Sequence, residues 1–103
     1  MANMILSSTT LVERAKKNIN VIYPFLAQKK HSAENTFFVD IRDIRELWKE
    51  GKVKSAYHAP RGMLEFWVDP LSPYYKKFFK PDNKYILYCA SGWRSALATH
   101  TLK

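Results

Sequence analysis

Two short, almost uninterrupted apolar runs constrain the fold of this chain more than any other feature. They occupy residues 36–41, read TFFVDI, and residues 84–89, read KYILYC. Strands that are buried on both faces have this pattern, and such strands are typical of parallel sheets. Between and after the runs, apolar residues recur at the three- to four-residue spacing of helices. The alternation predicts an α/β domain with a parallel sheet flanked by helices.

Shorter patterns predict the remaining elements. Thr10 and Glu13 have the spacing of a capping box, so the first helix is expected to begin just after Thr10. Pro24 suits the first turn of a second helix, and Gly51 suits the end of a third. Helices are predicted at residues 11–18, 25–30, 42–50, 61–67, 74–79 and 95–103, and short strands at residues 19–23 and 54–59.

The composition indicates one ordered domain and argues against nucleic acid as a partner. The chain has 103 residues, of which 47% are hydrophobic, and this is enough for a single domain with a core. The formal net charge is +8, but the basic residues are scattered instead of forming the dense stripe typical of nucleic-acid binding. We interpret the charge as a solvated basic surface that also favours small anions.

Signals for membrane insertion, export and metal binding are missing from the sequence. No apolar stretch is long enough to span a bilayer, and the run at residues 4–6 is too short for a signal peptide. His31, His58 and His100 lack metal-ligand spacing, and a single cysteine can form neither a CxxC pair nor an internal disulfide. We therefore expect a soluble, cytoplasmic protein with no membrane partner, no metal and no cofactor.

The chain's only cysteine opens the loop CASGWRS, which follows the second apolar run. The start of the next helix supplies unpaired N–H groups that stabilise an anion, and Gly92 permits the tight turn that aims them inward. Arg94 adds a forked positive donor, and Ser91 and Ser95 add hydroxyl groups. All of these favour a thiolate. We interpret Cys89 as a nucleophile in an anion-binding loop, in preference to a buried structural cysteine.

Loop length indicates the class of reaction. Four residues separate Cys89 from Arg94, whereas cysteine-dependent phosphatases, which have a similar loop, place five there. A shorter loop makes a tighter cradle, which suits one outer sulfur on the cysteine better than a tetrahedral phosphoryl group. Sulfur transfer is therefore the favoured interpretation, and a phosphatase or arsenate reductase is the alternative.

On these residues the sequence resembles the rhodanese sulfurtransferase family in its single-domain bacterial form. The segments FFVDIRDIRELWKEGKVKSAYHAPRGMLEFW and CASGWRSALA carry the resemblance, with an Asp-x-Arg signature at Asp40 and Arg42. It extends over residues 10–103 and implies a five-stranded parallel sheet between helices. It also implies a thiosulfate sulfurtransferase whose cysteine cycles between thiolate and persulfide, whereas a non-catalytic rhodanese-like binding module is a further alternative.

The resemblance implies a role for each candidate residue. Asp40 is expected to accept hydrogen bonds from the loop or from Arg94. Arg42 and Arg61 are expected at the rim of the pocket, and Trp93 at its mouth. The full set of candidates comprises the catalytic Cys89, the persulfide-binding loop residues Ala90, Ser91, Gly92, Trp93, Arg94 and Ser95, and the supporting or substrate-binding residues Asp40, Arg42 and Arg61.

The resemblance also implies the partners and the extent of the domain. The expected partners are a small anionic sulfur donor and a thiol or cyanide acceptor. Residues 1–9 are expected to be a flexible N-terminus, followed by the domain at residues 10–103. The family continues past the last helix with a further edge strand, so we expect this domain to be incomplete at its C-terminus. An uncovered sheet edge would favour a homodimer.

Overall fold

The computed structural model describes residues 6–30 and 33–103. At its centre lies a parallel sheet of three strands in the order β2-β1-β3. The strands are β1 (Thr36–Asp40), β2 (Tyr57–His58) and β3 (Lys84–Tyr88). Both pairings are parallel, and the middle strand β1 pairs along its whole length with β3. The predicted α/β architecture with a parallel sheet is therefore confirmed.

Among the described residues the sheet has three strands, not the five implied by the resemblance. The strand predicted at residues 19–23 does not form, and this prediction was wrong. Val21 and Tyr23 are exposed there, so this β-branched stretch has no neighbouring strand with which to pair. A strand gains little from propensity alone, because its stability comes from packing against cross-strand neighbours.

Five helices and one short 3₁₀ turn surround the sheet in the part of the chain that the structure describes. The helices are α1 (Ser8–Lys17), α2 (Pro24–Lys30), α3 (Ile44–Glu50), α4 (Leu64–Val68) and α5 (Trp93–Leu102), and the 3₁₀ turn is Arg61–Met63. The helix predicted at residues 74–79 is wrong, since turns and irregular chain occupy that stretch. Its aromatic residues make tertiary contacts instead: the ring of Phe78 stacks on Tyr57 at a centroid distance of 3.9 Å, and Phe79 is buried in the core.

Helix α1 begins earlier than the sequence predicts. Ser7 is its N-cap, and the Ser7 hydroxyl accepts a hydrogen bond from the backbone N–H of Thr10. The prediction that Thr10 caps this helix is therefore wrong, because a second hydroxyl residue three positions earlier takes that role. The N-terminus predicted to be flexible spans residues 1–9, and residues 1–5 of it lie outside the described residues. His31 also lies outside them.

Packing on two sides holds α5, the helix that follows the cysteine loop. One side contributes to the main core through Ala98, together with Val39, Ile41 and Leu64. Another side packs against α1, and this second cluster consists of Val12, Ala15 and Ala96. The start of α5 is thus fixed relative to the end of β3. Across residues 6–30 and 33–103, no helix is long and apolar enough to cross a bilayer.

Candidate active site

Cys89 lies directly after β3, at the carboxyl edge of the sheet. The backbone N–H of Ile41 donates to the carbonyl oxygen of Tyr88 at 3.1 Å, so β1 and β3 remain paired up to the loop. Ligands of open parallel sheets bind at this edge. The loop from residue 89 to residue 92 then leads straight into α5, which begins at Trp93. The cysteine thus occupies the strand-to-helix position that the sequence predicts.

Three groups of the loop and of α5 surround the sulfur of Cys89. The backbone N–H of Gly92 donates to Sγ at 3.2 Å, and the N–H of Ser95 donates at 3.4 Å. The hydroxyl oxygen of Ser95 lies 3.5 Å from Sγ and donates to the carbonyl of Gly92 at 3.2 Å. Gly92 has φ = 86°, a left-handed conformation that glycine adopts without a steric penalty. The loop therefore folds back over its own sulfur.

These contacts shift the acidity of Cys89. Burial alone would raise the pKa of the thiol, because it disfavours the charged form. The hydrogen bonds from the Ser95 side chain and from the N–H groups of Ser95, Gly92 and Arg94 outweigh burial and lower the pKa of Cys89. The thiolate is the nucleophilic form of cysteine, so the arrangement increases the reactive fraction near neutral pH.

The loop retains hydrogen-bonding capacity for an added anion. Among the described residues, the N–H groups of Ala90, Ser91 and Trp93 donate to no acceptor. They precede or begin α5, whose N-terminus carries about half a unit of positive charge. Ala90 and Ser91 are exposed, and Trp93 is half-exposed. These N–H groups are therefore available to donate to an anion that binds at the loop.

Arg94 is paired with Glu46, a residue that the sequence analysis did not single out. Its two terminal nitrogens donate to the two carboxylate oxygens of Glu46 at 2.7 and 3.0 Å. Glu46 also accepts from the backbone N–H of Asp43, because these two residues form the capping box of α3. The spacing Asp-x-x-Glu is visible in the sequence and could have identified Glu46 as a fixed carboxylate. Its partner, 48 residues away, could not be identified from local sequence.

Each member of the Arg94–Glu46 pair shifts the pKa of the other. The hydrogen bonds from Arg94 lower the pKa of Glu46, so the carboxylate stays charged. The same bonds raise the pKa of Arg94, and the nearby Cys89 adds to this increase. Because both members remain charged, the pair contributes no net charge to the loop.

Asp40 binds Arg42, not Arg94 or the loop, which corrects the expectation drawn from the resemblance. The Arg42 guanidinium donates to the two Asp40 oxygens at 3.0 Å (from Nε) and 2.8 Å (from Nη2). It also donates to the carbonyl oxygen of Gly51 at 2.7 Å. Burial alone would raise the pKa of Asp40, but the hydrogen bonds from Arg42 outweigh it and lower this pKa.

The two arginines expected at the pocket rim are both engaged elsewhere. Arg42 is buried and its guanidinium is held by Asp40 and by the carbonyl oxygen of Gly51. Arg61 follows β2, and its backbone N–H donates to the carbonyl oxygen of Ile41 at the carboxyl edge of the sheet. Its side chain pairs with Glu65 at 2.6 Å and with no loop residue in the described part of the chain. The sulfur therefore has Gly92, Arg94 and Ser95 as its hydrogen-bonding neighbours, and Glu46 joins them through Arg94. In the described part of the chain, neither Arg42 nor Arg61 makes a hydrogen bond or ion pair with a loop residue.

The described residues contain no group of three or more histidine, cysteine or acidic side chains that could hold a metal ion. The chemistry available at the loop is that of one thiol, surrounding N–H donors and one neutralised arginine. Such a set is suited to nucleophilic group transfer to and from sulfur.

Comparisons with known proteins agree with this fold and loop. The sequence profile of the family described as "Rhodanese-like domain" matches residues 25–103. A solved structure of a protein of unknown function from Rhodopseudomonas palustris, described as a possible tyrosine phosphatase, is 39% identical with a TM-score of 0.91. The match covers 98% of this chain and 78% of that chain. A search of curated proteins finds no significant match.

Proposed function

Since this chain belongs to the rhodanese-like domain family, we propose that it is a sulfurtransferase that carries sulfane sulfur as a persulfide on Cys89. One observation carries the proposal: the sulfur of Cys89 accepts hydrogen bonds from the N–H groups of Gly92 and Ser95, while three other N–H groups of the same loop, those of residues 90, 91 and 93, have no acceptor in the described part of the chain. The bonded donors favour a thiolate, and the three remaining N–H groups are available to one more atom bonded to it.

The first half-reaction transfers sulfur to the enzyme. The Cys89 thiolate attacks the outer sulfur of a donor such as thiosulfate, and the sulfur–sulfur bond of the donor breaks. The bonding electron pair leaves with sulfite, while a new sulfur–sulfur bond forms on Cys89. Three negative charges enter this step and three leave it, as a persulfide anion and a sulfite dianion. The N–H groups of Ala90, Ser91 and Trp93 would stabilise the terminal sulfur of the persulfide.

The second half-reaction regenerates the thiolate. A nucleophilic acceptor attacks the outer sulfur of the persulfide, and the electron pair of the sulfur–sulfur bond returns to Cys89. With cyanide the product is thiocyanate; with a thiolate acceptor it is a new persulfide. No oxidant or metal is consumed, since the sulfane sulfur keeps its oxidation level throughout.

Intact-mass spectrometry tests the proposal directly. Wild-type protein treated with a sulfane-sulfur donor is expected to gain the mass of one sulfur atom, and to lose it again after cyanide is added. Because Cys89 is the chain's only cysteine, the Cys89→Ser variant is a complete control and is expected to gain nothing. Folded wild-type protein that gains no sulfur from thiosulfate, a thiosulfonate or a persulfide would refute the proposal.

Phosphatase activity is the second candidate, because the similar solved structure is described as a possible tyrosine phosphatase. The lowered pKa of Cys89 would serve that chemistry too. A phosphoryl group, however, is bound by a forked arginine, and both terminal nitrogens of Arg94 are occupied by Glu46. We therefore expect no release of phosphate from an aryl phosphate under conditions in which Cys89 accepts sulfur.

A further inference from the structure

We propose that Glu46 makes the loop selective for sulfane-sulfur donors with a single negative charge, such as organic thiosulfonates and persulfides, over the dianion thiosulfate. This inference rests on the proposed function and identifies its donor class. The carboxylate does so by cancelling the charge of Arg94, the one guanidinium that lies within the loop.

The pair between Glu46 and Arg94 is held in a defined geometry. Two parallel hydrogen bonds of 2.7 and 3.0 Å join the carboxylate to the guanidinium, which is the strongest arrangement of these groups. A third bond, from the backbone N–H of Asp43 at 3.2 Å, holds the carboxylate at the start of α3. An incoming anion at Cys89 would therefore meet a guanidinium whose charge is already balanced by an anchored carboxylate.

The other arginines that follow the carboxyl ends of the strands are neutralised as well. Each pairs with carboxylates close in sequence: Arg42 with Asp40 and Glu50, Arg45 with Asp43, and Arg61 with Glu65. Together with the Arg94–Glu46 pair, four arginines face five carboxylates, so none of these arginines offers an unbalanced positive charge. The loop must therefore stabilise an anion mainly with neutral N–H groups and with the roughly half-unit charge of a helix N-terminus.

The charge of the donor then determines how well it can approach the thiolate. Thiosulfate brings two negative charges to the one already on Cys89, whereas a thiosulfonate brings one. The reaction with a thiosulfonate otherwise follows the same steps as the reaction with thiosulfate. The thiolate attacks the outer sulfur, the sulfur–sulfur bond breaks, and a sulfinate leaves with the electron pair. Two negative charges enter and two leave. The half-exposed ring of Trp93, at the start of α5, offers an apolar surface for the organic group of such a donor.

The test compares the loading of Cys89 by thiosulfate and by methanethiosulfonate, using quenched intact-mass measurements. In Glu46→Gln, the glutamine can still complete the capping box, but it no longer neutralises Arg94. The ratio of the thiosulfate rate to the methanethiosulfonate rate is expected to rise by about tenfold, as one unit charge near the anion is released. Glu34 precedes the opposite end of β1, and the length of that strand, about 16 Å, separates it from the cysteine loop. Glu34→Gln removes the same charge there and is expected to leave the ratio unchanged.

A second variant separates charge from misfolding. In Glu46→Gln with Arg94→Gln, both charges of the pair are removed, and the ratio is expected to stay at the wild-type value even though both rates fall. An unchanged ratio in folded Glu46→Gln, or a reduced ratio in the double variant, would overturn the inference while leaving the persulfide mechanism intact. Failure of every donor to load the wild-type protein would instead overturn the proposed function and this inference with it.

Discussion

The hydroxyl oxygen of Ser95 lies 3.5 Å from the Sγ atom of Cys89, six residues earlier in the chain. The same hydroxyl donates to the carbonyl oxygen of Gly92, and it has only one proton to donate. While Cys89 is a thiol, its S–H can donate to Ser95. When Cys89 ionises, the hydroxyl can turn to donate to the sulfur instead. Ser95 therefore stabilises either protonation state, but more strongly the charged one.

Replacing Ser95 by alanine is expected to raise the pKa of Cys89, because the hydroxyl is foremost among the groups that lower it against burial. The measurement is the rate of alkylation by iodoacetamide as a function of pH. The wild-type midpoint is expected below about 8.5, the value of an ordinary cysteine, and the Ser95→Ala midpoint above that of the wild type.

Thr101→Ala is the matched control for this experiment. It removes a hydroxyl from the same helix, where Thr101 donates only to the carbonyl of Leu97. Its alkylation profile is expected to overlay that of the wild type. Identical midpoints for Ser95→Ala and wild type would contradict the role given to this hydroxyl.

Replacing Gly92 by alanine is expected to destabilise the protein by about 1–2 kcal/mol, the cost of a left-handed conformation for a residue with a Cβ atom. The cause is the backbone angle of 86° and not crowding, since no atom lies within 4 Å of the position that a Cβ would take. Urea denaturation measures the change in the free energy of unfolding. Gly62→Ala, which has the same open space but no positive φ, is the control and is expected to cost much less.

Replacing Asp40 by asparagine is expected to cost about 3–5 kcal/mol, because it removes the only buried counter-charge of the Arg42 guanidinium in the described residues and leaves the exposed Glu50, at 3.4 Å, as its remaining carboxylate partner. Both residues are buried, and the pair has no route to full hydration. Chemical denaturation at neutral pH measures the loss. Asp82→Asn, a change of the same type in an exposed turn, is expected to have little effect, and equal losses in the two variants would contradict this account.

The contribution of Asp40 is also expected to depend on pH. Because the pKa of Asp40 is lower in the folded protein than in the unfolded chain, its stabilisation is complete above the ordinary aspartate value of about 3.9 and is lost as pH falls through the folded value. The difference in unfolding free energy between wild type and Asp40→Asn should therefore be constant from pH 7 to about 5 and should narrow toward pH 2. A difference that widens in acid would show that the pKa of Asp40 is not lowered by folding.

Local patterns predicted much of the fold and the centre of the candidate site. Continuous apolar runs identified β1 and β3, and the glycine at position 51 marked the end of α3 as observed. The same local logic misassigned residues 19–23 and residues 74–79. In the first stretch no neighbouring strand exists, and in the second the aromatic rings pack against the sheet residues Tyr57 and Tyr85. Neither condition can be read from a window of neighbouring residues.

Local sequence patterns were sufficient to predict that one cysteine would follow an apolar strand and precede a helix, because apolar runs, glycine placement and helix initiation are local properties. The pairing of the surrounding charges, by contrast, depends on the folded structure. Arg94 meets Glu46 across 48 residues, and Asp40 takes Arg42 instead of Arg94 as its partner. Ion pairing depends on distances between atoms that the fold brings together, and it is those distances that decide which arginine remains available to an incoming anion.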